Sequence, residues 1–377
     1  MKMHFSVAAL VAAFVTHAAL AADLLVPQQY STIQAAVNAT VTGDTVIVAP
    51  GTYNEQITIE GKAITVRSSG TASNTKIDRV NAAGNVFTIR NTLNGIVKLE
   101  GITISRTTGN AVDLSGATLE IHSLRVLNSK RGIAIGASGL LLGEGLQCLF
   151  MNADGGGIQL AHATARAQLT NTNFQACVGG LGGAISLAED AEASISGASF
   201  LNCSASQGGA VFVSNGASIT IHDAYAQGCN AGFGGFIRLA GNGDAIITGS
   251  EIVSCSASDS GGFASVEAGV LTANSCGVQG TIATVRGGLV AVADGHFSAS
   301  GVTYRNATTY LAGNNFGGVV SIGSGSATLT GFVTSNLTVR LPPGGALAGR
   351  PSLAITAVCS VFRVAEVRFL LPTRISA

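Results

Sequence analysis

The chain has 377 residues, of which only 11% are charged, and its 20 Lys and Arg residues balance its 20 Asp and Glu residues. A net charge of zero argues against nucleic acid or an anionic membrane as the partner, because both attract basic proteins. Tryptophan is absent and aromatic residues make up 5% of the chain, which argues against a platform of exposed rings that stacks on sugars or bases.

The first 21 residues predict a secretory signal peptide. Lys2 supplies a short positive start, residues 5–15 form an apolar stretch, and Ala19-Leu20-Ala21 fits a small-x-small cleavage site. The apolar stretch is too short for a transmembrane anchor, and no stop-transfer charges follow it. We therefore expect export, with the protein secreted or exposed at the cell surface (at the outer membrane if the source is bacterial).

Residues 22–70 predict an N-terminal cap and the first coils of a repetitive fold. Ser31 or Thr32 can cap a short helix whose apolar face contains Ile33 and Val37. Such a helix would cover the open apolar end and the unpaired strand edges of the first coil. The β-branched segments that follow predict strands at 45–48, 57–59 and 64–66.

A Gly-Gly pair then returns with a nearly constant period of about 26 residues, and a fixed period of this length indicates one structural unit stacked on copies of itself. Apolar triplets typical of short strands fill each interval, and before the first pair they recur with a shorter period of about 22 residues. We therefore predict an all-β fold for residues 71–340: a right-handed parallel β-helix of about 22–27 residues and three short strands per coil, preceded by the capping helix.

Glycine suits the corner of such a coil, because a corner needs a positive φ or a close approach of two backbones. A phosphate-binding loop is the alternative, but it precedes a helix and occurs once, whereas these pairs precede strands and recur seven times. The repeat corners are represented by the second glycine of each pair: Gly156, Gly183, Gly209, Gly235, Gly262, Gly288 and Gly318.

The cysteines form a second periodic feature. Four of them follow one another at 26-residue steps, with one more cysteine before and one after: Cys177, Cys203, Cys229 and Cys255, flanked by Cys148 and Cys276. Disulfides between adjacent coils (148–177, 203–229 and 255–276) are one interpretation, although parallel Cβ directions disfavour them. The other, which we favour, is an inward ladder of small buried thiols. The spacing does not indicate a metal site.

Four Asn-x-Ser/Thr sequons are candidates for N-glycosylation if the source is eukaryotic. The alternative is chance occurrence in a chain rich in Ser and Thr. The asparagines of these sequons are Asn38, Asn202, Asn306 and Asn336.

The C-terminal segment, residues 341–377, departs from the repeat. Residues 342–345 read Pro-Pro-Gly-Gly, which is typical of a linker-like stop, and the apolar stretch that follows carries Arg363, Glu366 and Arg368. These charges argue against a membrane span. We predict a C-terminal cap or a non-repeat tail.

The repeats resemble the polymorphic outer membrane protein repeat, first met in chlamydial surface proteins. Its signature is Gly-Gly-Ala-Ile/Val followed by Phe-x-x-Asn, and the first half stands at 182–185 and 208–211. The second half has Cys in place of Asn, at Cys177 and Cys203. The resemblance covers about residues 150–320 and implies an exported surface protein that acts in adhesion. Residues 33–66 are similar to the opening of pectate-lyase-like β-helix proteins, which concerns the fold more than the activity.

Polysaccharide-cleaving β-helices place acids and bases in polar columns. Here such a column, six residues after the Gly-Gly pairs, contains His162, Glu189, Asn215 and Asp294. We interpret it as turn residues. A lyase needs clustered carboxylates for calcium and a basic side chain, and an inverting hydrolase needs facing carboxylates; the sequence shows neither. We therefore predict no catalytic residue, no cofactor and no metal.

The sequence thus predicts a secreted or cell-surface β-helix, non-catalytic, that presents a repetitive surface for adhesion or carbohydrate binding. Its partner would be a polysaccharide or the surface of a host or neighbouring cell. The alternative is a carbohydrate-active enzyme of the pectate-lyase-like class: a polysaccharide lyase, a hydrolase or a pectin esterase. An enzyme should concentrate charged groups in one groove, whereas this chain spaces few charges widely along the sequence.

Overall fold

The chain winds into a right-handed parallel β-helix with one short helix at its start, which confirms the predicted fold class. The structure is a computed structural model, and it describes residues 21–80, 83–92, 95–151, 156–306, 308–310, 319–335, 337–340, 363–364 and 367–370. All strand pairs within this part are parallel and join one coil to the next. We number the four sheets in the order in which the chain visits them within a coil.

Sheet 1 and sheet 2 each contain 13 strands. At a strand spacing of about 4.8 Å, 13 stacked strands make a rod about 58 Å long. The strands of sheet 1 are Asp23–Val26, Thr45–Val48, Thr65–Ser68, Ile96–Glu100, Thr118–His122, Leu140–Glu144, Arg166–Thr170, Glu192–Ser196, Ser218–His222, Asp244–Thr248, Val270–Asn274, His296–Ser300 and Ser326–Thr330. The strands of sheet 2 are Gly51–Tyr53, Thr75–Asp78, Thr103–Ser105, Arg125–Leu127, Gln147–Leu149, Asn173–Gln175, Ser199–Leu201, Tyr225–Gln227, Glu251–Val253, Gly277–Gln279, Thr303–Arg305, Val333–Ser335 and Arg363–Val364.

Among the described residues, sheet 3 has eight strands and begins at Val178, whereas sheet 4 has 11 strands and begins at Ile57. In the same part of the chain, the coils that begin at Thr45 through Leu140 have the predicted three strands, and a fourth is present from the coil that begins at Arg166. The strands of sheet 3 are Val178–Leu181, Ser204–Gln207, Asn230–Phe233, Ser256–Ser260, Ile282–Ala283, Thr308–Tyr310, Leu337–Arg340 and Val367–Leu370. The strands of sheet 4 are Ile57–Glu60, Phe87–Arg90, Asn110–Ser115, Arg131–Ile135, Ile158–Ala161, Ile185–Ala188, Val211–Val213, Ile237–Leu239, Ala264–Val266, Val290–Val292 and Val320–Ile322.

The core is the interior of the rod, and it is filled by ladders of identical positions. Strand Glu192–Ser196 buries Ala193 and Ile195 and exposes the residues between them. Because neighbouring strands pair in register, equivalent side chains lie above one another, as Phe174 and Phe200 do with their ring centroids 5.3 Å apart. Each fully buried aliphatic or aromatic side chain of this kind contributes about 1.5–3 kcal/mol of transfer free energy.

Within the described residues, five of the Gly-Gly pairs lie between sheet 3 and sheet 4, and the two glycines of each pair are under different conformational constraints. The first glycine has a φ between +54° and +71° in the pairs that begin at Gly182, Gly208, Gly234, Gly261 and Gly287, a conformation that glycine adopts without strain. The second glycine approaches the next coil: a Cβ on Gly209 would lie 2.1 Å from the carbonyl oxygen of Gly235. Residues 155, 317 and 318, and with them the predicted corner at Gly318, lie outside the described residues.

The predicted N-terminal helix spans Ile33–Ala39. Of the two predicted caps, Thr32 is the N-cap: its hydroxyl accepts a hydrogen bond from the amide of Ala35 at 3.0 Å. The carboxylate of Glu55 accepts two more, from the amides of Ile33 and Gln34, at 3.0 and 2.9 Å. These bonds satisfy the free amides of the first turn, while the buried face of the helix packs on the first coil.

The two ends of the chain lie largely outside the described residues, including the predicted signal peptide up to residue 20. Within the segment that we predicted as a cap or tail, residues 363–364 pair with Val333–Ser335 of sheet 2, and residues 367–370 pair with Leu337–Arg340 of sheet 3. These residues therefore continue two of the sheets. Among the described residues, none of the helical structure is long and apolar enough to cross a membrane.

The close contact at the second corner glycine predicts a steric penalty for any side chain there. Gly209→Ala should lower the free energy of unfolding by about 1–3 kcal/mol, because backbone must move to admit the methyl group. The matched control is Gly180→Ala, since a Cβ on Gly180 meets nothing within 4 Å. Urea denaturation of both variants measures the effect, and equal stability of the two would contradict this account of the corner.

Candidate functional site

Four of the six described cysteines form a column at the end of sheet 2. Cys177, Cys203, Cys229 and Cys255 each follow a strand of that sheet, and all are fully buried. The thiols of Cys203 and Cys229 contact main-chain carbonyl oxygens of Phe174 and Phe200 in the preceding coil, at 3.6 and 3.5 Å. The environment of these thiols therefore repeats from coil to coil.

The other two cysteines do not belong to this column, contrary to the prediction. Cys148 lies within strand Gln147–Leu149 and pairs in register with Phe174, and Cys276 precedes its sheet 2 strand instead of following it. Met151 and Thr281, both buried, occupy the next 26-residue steps of the column. Cys148 precedes Cys177 by more than one such step, and Cys276 follows Cys255 by less than one, which accounts for the difference in position.

All six described cysteines are buried free thiols in the structure. Burial disfavours the charged thiolate, and it raises the pKa of Cys148 and of Cys276 above the usual thiol value. Because all six thiols are buried away from solvent, reagents do not reach them in the folded protein, and we interpret them as structural groups of the core.

The sequons lie at the surface where the structure describes them. Asn38 is exposed on the N-terminal helix. Asn202 and Asn306 are exposed in turns that follow sheet 2 strands, with φ of +52° at both. Asn336 lies outside the described residues.

All four members of the polar column lie in turns or bends, as predicted. Glu189 and Asn215 have φ of +58° and +51°, and the Asn215 amide donates to the Glu189 carboxylate at 3.0 Å. His162 interacts with the hydroxyl of Thr164 at 3.1 Å. Asp294 also lines a groove on the outer face of sheet 4.

This groove has a volume of about 510 Å³ and runs along the rod across several coils. Its floor is the outer face of sheet 4, where Arg238, Ser265, Ala291 and Ser321 pair in register. One wall is the end of sheet 3 and the other consists of the turns that follow sheet 4. The charged and aromatic residues of the two walls are Phe233, Asp259, Glu267, Arg286 and Asp294.

Arg238 is held in place from three sides. Its guanidinium lies 4.6 Å from the ring centroid of Phe233, which gives a cation–π contact. It forms an ion pair with Glu267 in the next coil and donates a hydrogen bond to the Ser265 hydroxyl at 3.3 Å. The side chain is only 12% exposed, so its position in the groove is well defined.

Arg286 presents the second guanidinium of the groove. It is exposed, and within the described part of the chain its side chain has neither a hydrogen bond nor an ion pair. Two carboxylates line the same groove, and each accepts a hydrogen bond from a serine side chain. Asp259 accepts from the Ser260 hydroxyl, and Asp294 accepts from the Ser324 hydroxyl. These groups remain able to bind hydroxyl or carboxylate groups of a ligand.

The fold therefore concentrates charges that lie far apart in the sequence, from Arg238 to Asp294. Among the groove residues only Asp294 belonged to a predicted column, and it was interpreted there as a turn residue. Arg238 stands three residues after the second glycine of its pair, and Phe233 and Arg286 stand immediately before their pairs. In the sequence, the position three residues after each Gly-Gly pair therefore identifies the floor of the groove, and the position immediately before each pair identifies one wall.

No protein-family model matches the chain, and no curated protein matches it. Among solved structures, the chain is similar to a PL6 family alginate lyase, with a TM-score of 0.50 and 11% identity over 91% of this chain and 53% of that chain. It is also similar to a mannuronic acid specific polysaccharide family 6 lyase from human gut microbiota, with a TM-score of 0.47 and 13% identity over 83% of this chain and 86% of that chain.

A third similar structure is the catalytic domain of a GH87 alpha-1,3-glucanase, with a TM-score of 0.48 and 12% identity over 93% of this chain and 68% of that chain. The chain spans about half the length of the PL6 alginate lyase that it matches. At 11% identity, the similarity to the PL6 alginate lyase shows the parallel β-helix fold alone. The polymorphic outer membrane protein repeat remains a resemblance in sequence.

The burial of the cysteines predicts that they do not react in the folded protein. Iodoacetamide should leave Cys203 and the five other described thiols unmodified under native conditions and alkylate them in urea, as peptide mass spectrometry would show. Glu251→Cys, on the exposed outer face of sheet 2, supplies a reactive control thiol. Native alkylation of Cys203, or a peptide joined by a 203–229 disulfide, would contradict the prediction.

Proposed function

We propose that the protein is exported and binds an extended polysaccharide along the groove of sheet 4, in an adhesive role at a cell surface or in the extracellular matrix. The observation that carries the proposal is the series of polar and charged groups that successive coils contribute to the groove. Coils stacked at about 4.8 Å each add a side chain to its floor or walls, so the groove suits a ligand that is itself a chain of repeating units.

The groups in the groove have the chemistry that sugars require. Asp259, Asp294 and Glu267 carry carboxylate oxygens that can accept hydrogen bonds from sugar hydroxyls. Arg286 can donate two parallel hydrogen bonds to a carboxylate or to a pair of oxygens. Phe233, 37% exposed, offers an apolar surface for the C–H face of a ring.

Two further observations support the proposal. The apolar segment and cleavage motif of residues 1–21 favour export, which would bring the protein to extracellular glycans. The alginate lyases that share this fold act on a polysaccharide, and we propose the same broad class of ligand here. The sequence resemblance to the polymorphic outer membrane protein repeat favours the adhesive role.

Removing the free guanidinium of the groove should weaken binding. We expect Arg286→Ala to reduce the affinity for an acidic polysaccharide such as alginate or polygalacturonate about tenfold, which corresponds to about 1.4 kcal/mol. Affinity electrophoresis in gels that contain the polysaccharide measures the change. Arg305→Ala is the matched control, because Arg305 is an exposed arginine on sheet 2. Equal affinity of the two variants would contradict a role for the groove.

One observation favours a second candidate function, a carbohydrate-active enzyme. Three carboxylates and two guanidinium groups lie in one groove, and this concentration is what we expect of an enzyme of this fold class rather than of an inert rod. Facing carboxylates can serve as general acid and base in hydrolysis. A basic side chain beside a bound uronate can serve in elimination.

We nevertheless expect binding without cleavage. Alginate, polygalacturonate and neutral glucans incubated with the purified protein and calcium should release neither reducing ends nor unsaturated uronates above a heat-inactivated control. Release that disappears in Glu267→Gln but persists in Glu251→Gln, an exposed glutamate of sheet 2, would establish the enzyme instead. Release unaffected by either substitution would place the activity outside this groove.

A further inference from the structure

A second depression lies on another face of the rod, the outer surface of sheet 1. It has a volume of about 650 Å³ and crosses four successive strands, from Thr118–His122 to Glu192–Ser196. Gly143 belongs to its lining and has a φ of +135°, which interrupts the extended strand. A Cβ on Gly143 would meet the carbonyl oxygen of Ile121 at 2.1 Å, so the recess depends on glycine at this position.

One edge of the recess consists of charges that compensate one another. His122 lies 2.9 Å from the carboxylate of Glu120, which also pairs with Lys98 at 2.8 Å. On the other side, the ring of His122 lies 3.8 Å from the carboxylate of Glu144. A charged ligand at this edge would have to displace existing ion pairs.

The remainder of the recess is uncharged. Its polar rim consists of Gln168, Thr170, Ser194 and Ser196, and Leu142 adds a partly exposed apolar surface. Within the described residues the side chains of these four polar residues make no hydrogen bond to the protein. Their donors and acceptors are therefore directed to solvent and available to a ligand.

The same chemistry continues along the face. Two columns of outward residues run in register from coil to coil, one from Gln168 to Thr328 and one from Thr170 to Thr330. They contain Ser, Thr, Gln, Asn and His and one exposed apolar residue, Ile246, and neither column contains Lys, Arg, Asp or Glu. These two columns are thus a regular array of hydroxyl and amide groups without formal charge, in contrast to the groove of sheet 4. The third outward column of the same strands does carry charges, at Arg166, Glu192 and Asp244.

We propose that this face of sheet 1, from the recess at Gly143 to Thr330, is a second glycan-binding surface that takes a neutral polysaccharide lying along the rod. The coil spacing of about 4.8 Å is comparable to the length of one sugar residue in an extended chain, so successive sugars would meet equivalent pairs of side chains. Hydroxyl groups supply hydrogen bonds, and Leu142 and Ile246 contact the C–H faces of the rings.

The absence of charge in the two columns selects the ligand class. An acidic polymer lying along these two columns would lose the hydration of its carboxylates without gaining a cationic partner there, which costs free energy. Arg166, in the neighbouring outward column, is already paired with Glu192 at 3.1 Å. A neutral polymer loses only hydroxyl hydration, and the face replaces those hydrogen bonds. This inference does not depend on the groove of sheet 4, whose arginines suit a different polymer.

The test introduces a bulky side chain at the recess, where it would block the proposed binding surface. Ser194 is exposed on the rim, and Ser194→Trp places a large ring where the sugar would lie. We expect this substitution to reduce the affinity for a soluble neutral polysaccharide, such as mixed-linkage glucan or galactomannan, at least about tenfold in affinity electrophoresis. Ser204→Trp, on the outer face of sheet 3, is the matched control. Circular dichroism and thermal unfolding verify that both variants are folded.

The experiments distinguish failure of this inference from failure of the proposed binding at the sheet 4 groove. Ser194→Trp should leave alginate binding unchanged, and Arg286→Ala should leave neutral-glycan binding unchanged. The inference is overturned if no neutral polysaccharide retards the wild-type protein, or if Ser194→Trp and Ser204→Trp bind equally. It is also overturned if Ser194→Trp abolishes a dimer seen in sedimentation velocity, or a depression of the freezing point, because the face would then bind a second copy or ice.

Discussion

The whole molecule depends on one constraint, the in-register parallel pairing of each coil with the next. Parallel hydrogen bonding holds successive strands at one spacing, so a residue and its counterpart one coil later occupy the same position in the cross-section. A residue type that stabilises one coil can therefore recur in every coil as a ladder, and one that destabilises a coil does so wherever it recurs. The stacked rings of Phe174 and Phe200, the thiols from Cys177 to Cys255 and the close approach of Gly209 to Gly235 are three results of this one rule.

The same rule distributes chemistry around the outside of the rod. Outward positions of one sheet form columns, and each column can acquire its own character without affecting the core. Sheet 4 presents Arg238 above Ser265 and beside Glu267, whereas sheet 1 presents Thr and Ser at equivalent positions over many coils. One backbone thus carries a charged groove on sheet 4 and two uncharged columns on sheet 1, which is why we infer two classes of glycan for two surfaces.

The four-stranded coils matter for the groove. Within the described residues, the coil in which Thr118 pairs with Leu140 has three strands, whereas the coil in which Arg166 pairs with Glu192 has four. The additional residues form sheet 3, whose end supplies Phe233 and Asp259 as one wall of the groove. The groove is lined only by residues from coils that possess this fourth strand. The presence of the fourth strand separates the part of the rod that has the groove from the part that lacks it.

The sequence by itself determined the features that depend on local conformation or on the repeat period. The parallel β-helix, the glycine corners and a helix cap at Ser31 or Thr32 could all be predicted, because turn chemistry, helix capping and periodicity are properties of short segments. The tertiary structure alone decided which residues share a column and which faces are concave. The order of the cysteines predicted that Cys148 and Cys276 extend the cysteine column. The spacing from Cys148 to Cys177 is longer than the repeat and the spacing from Cys255 to Cys276 is shorter, so both residues lie elsewhere in the cross-section. Arg238, Asp259, Arg286 and Asp294 met in one groove because the lateral register of whole coils, and the insertion of sheet 3, position residues that are far apart in the chain.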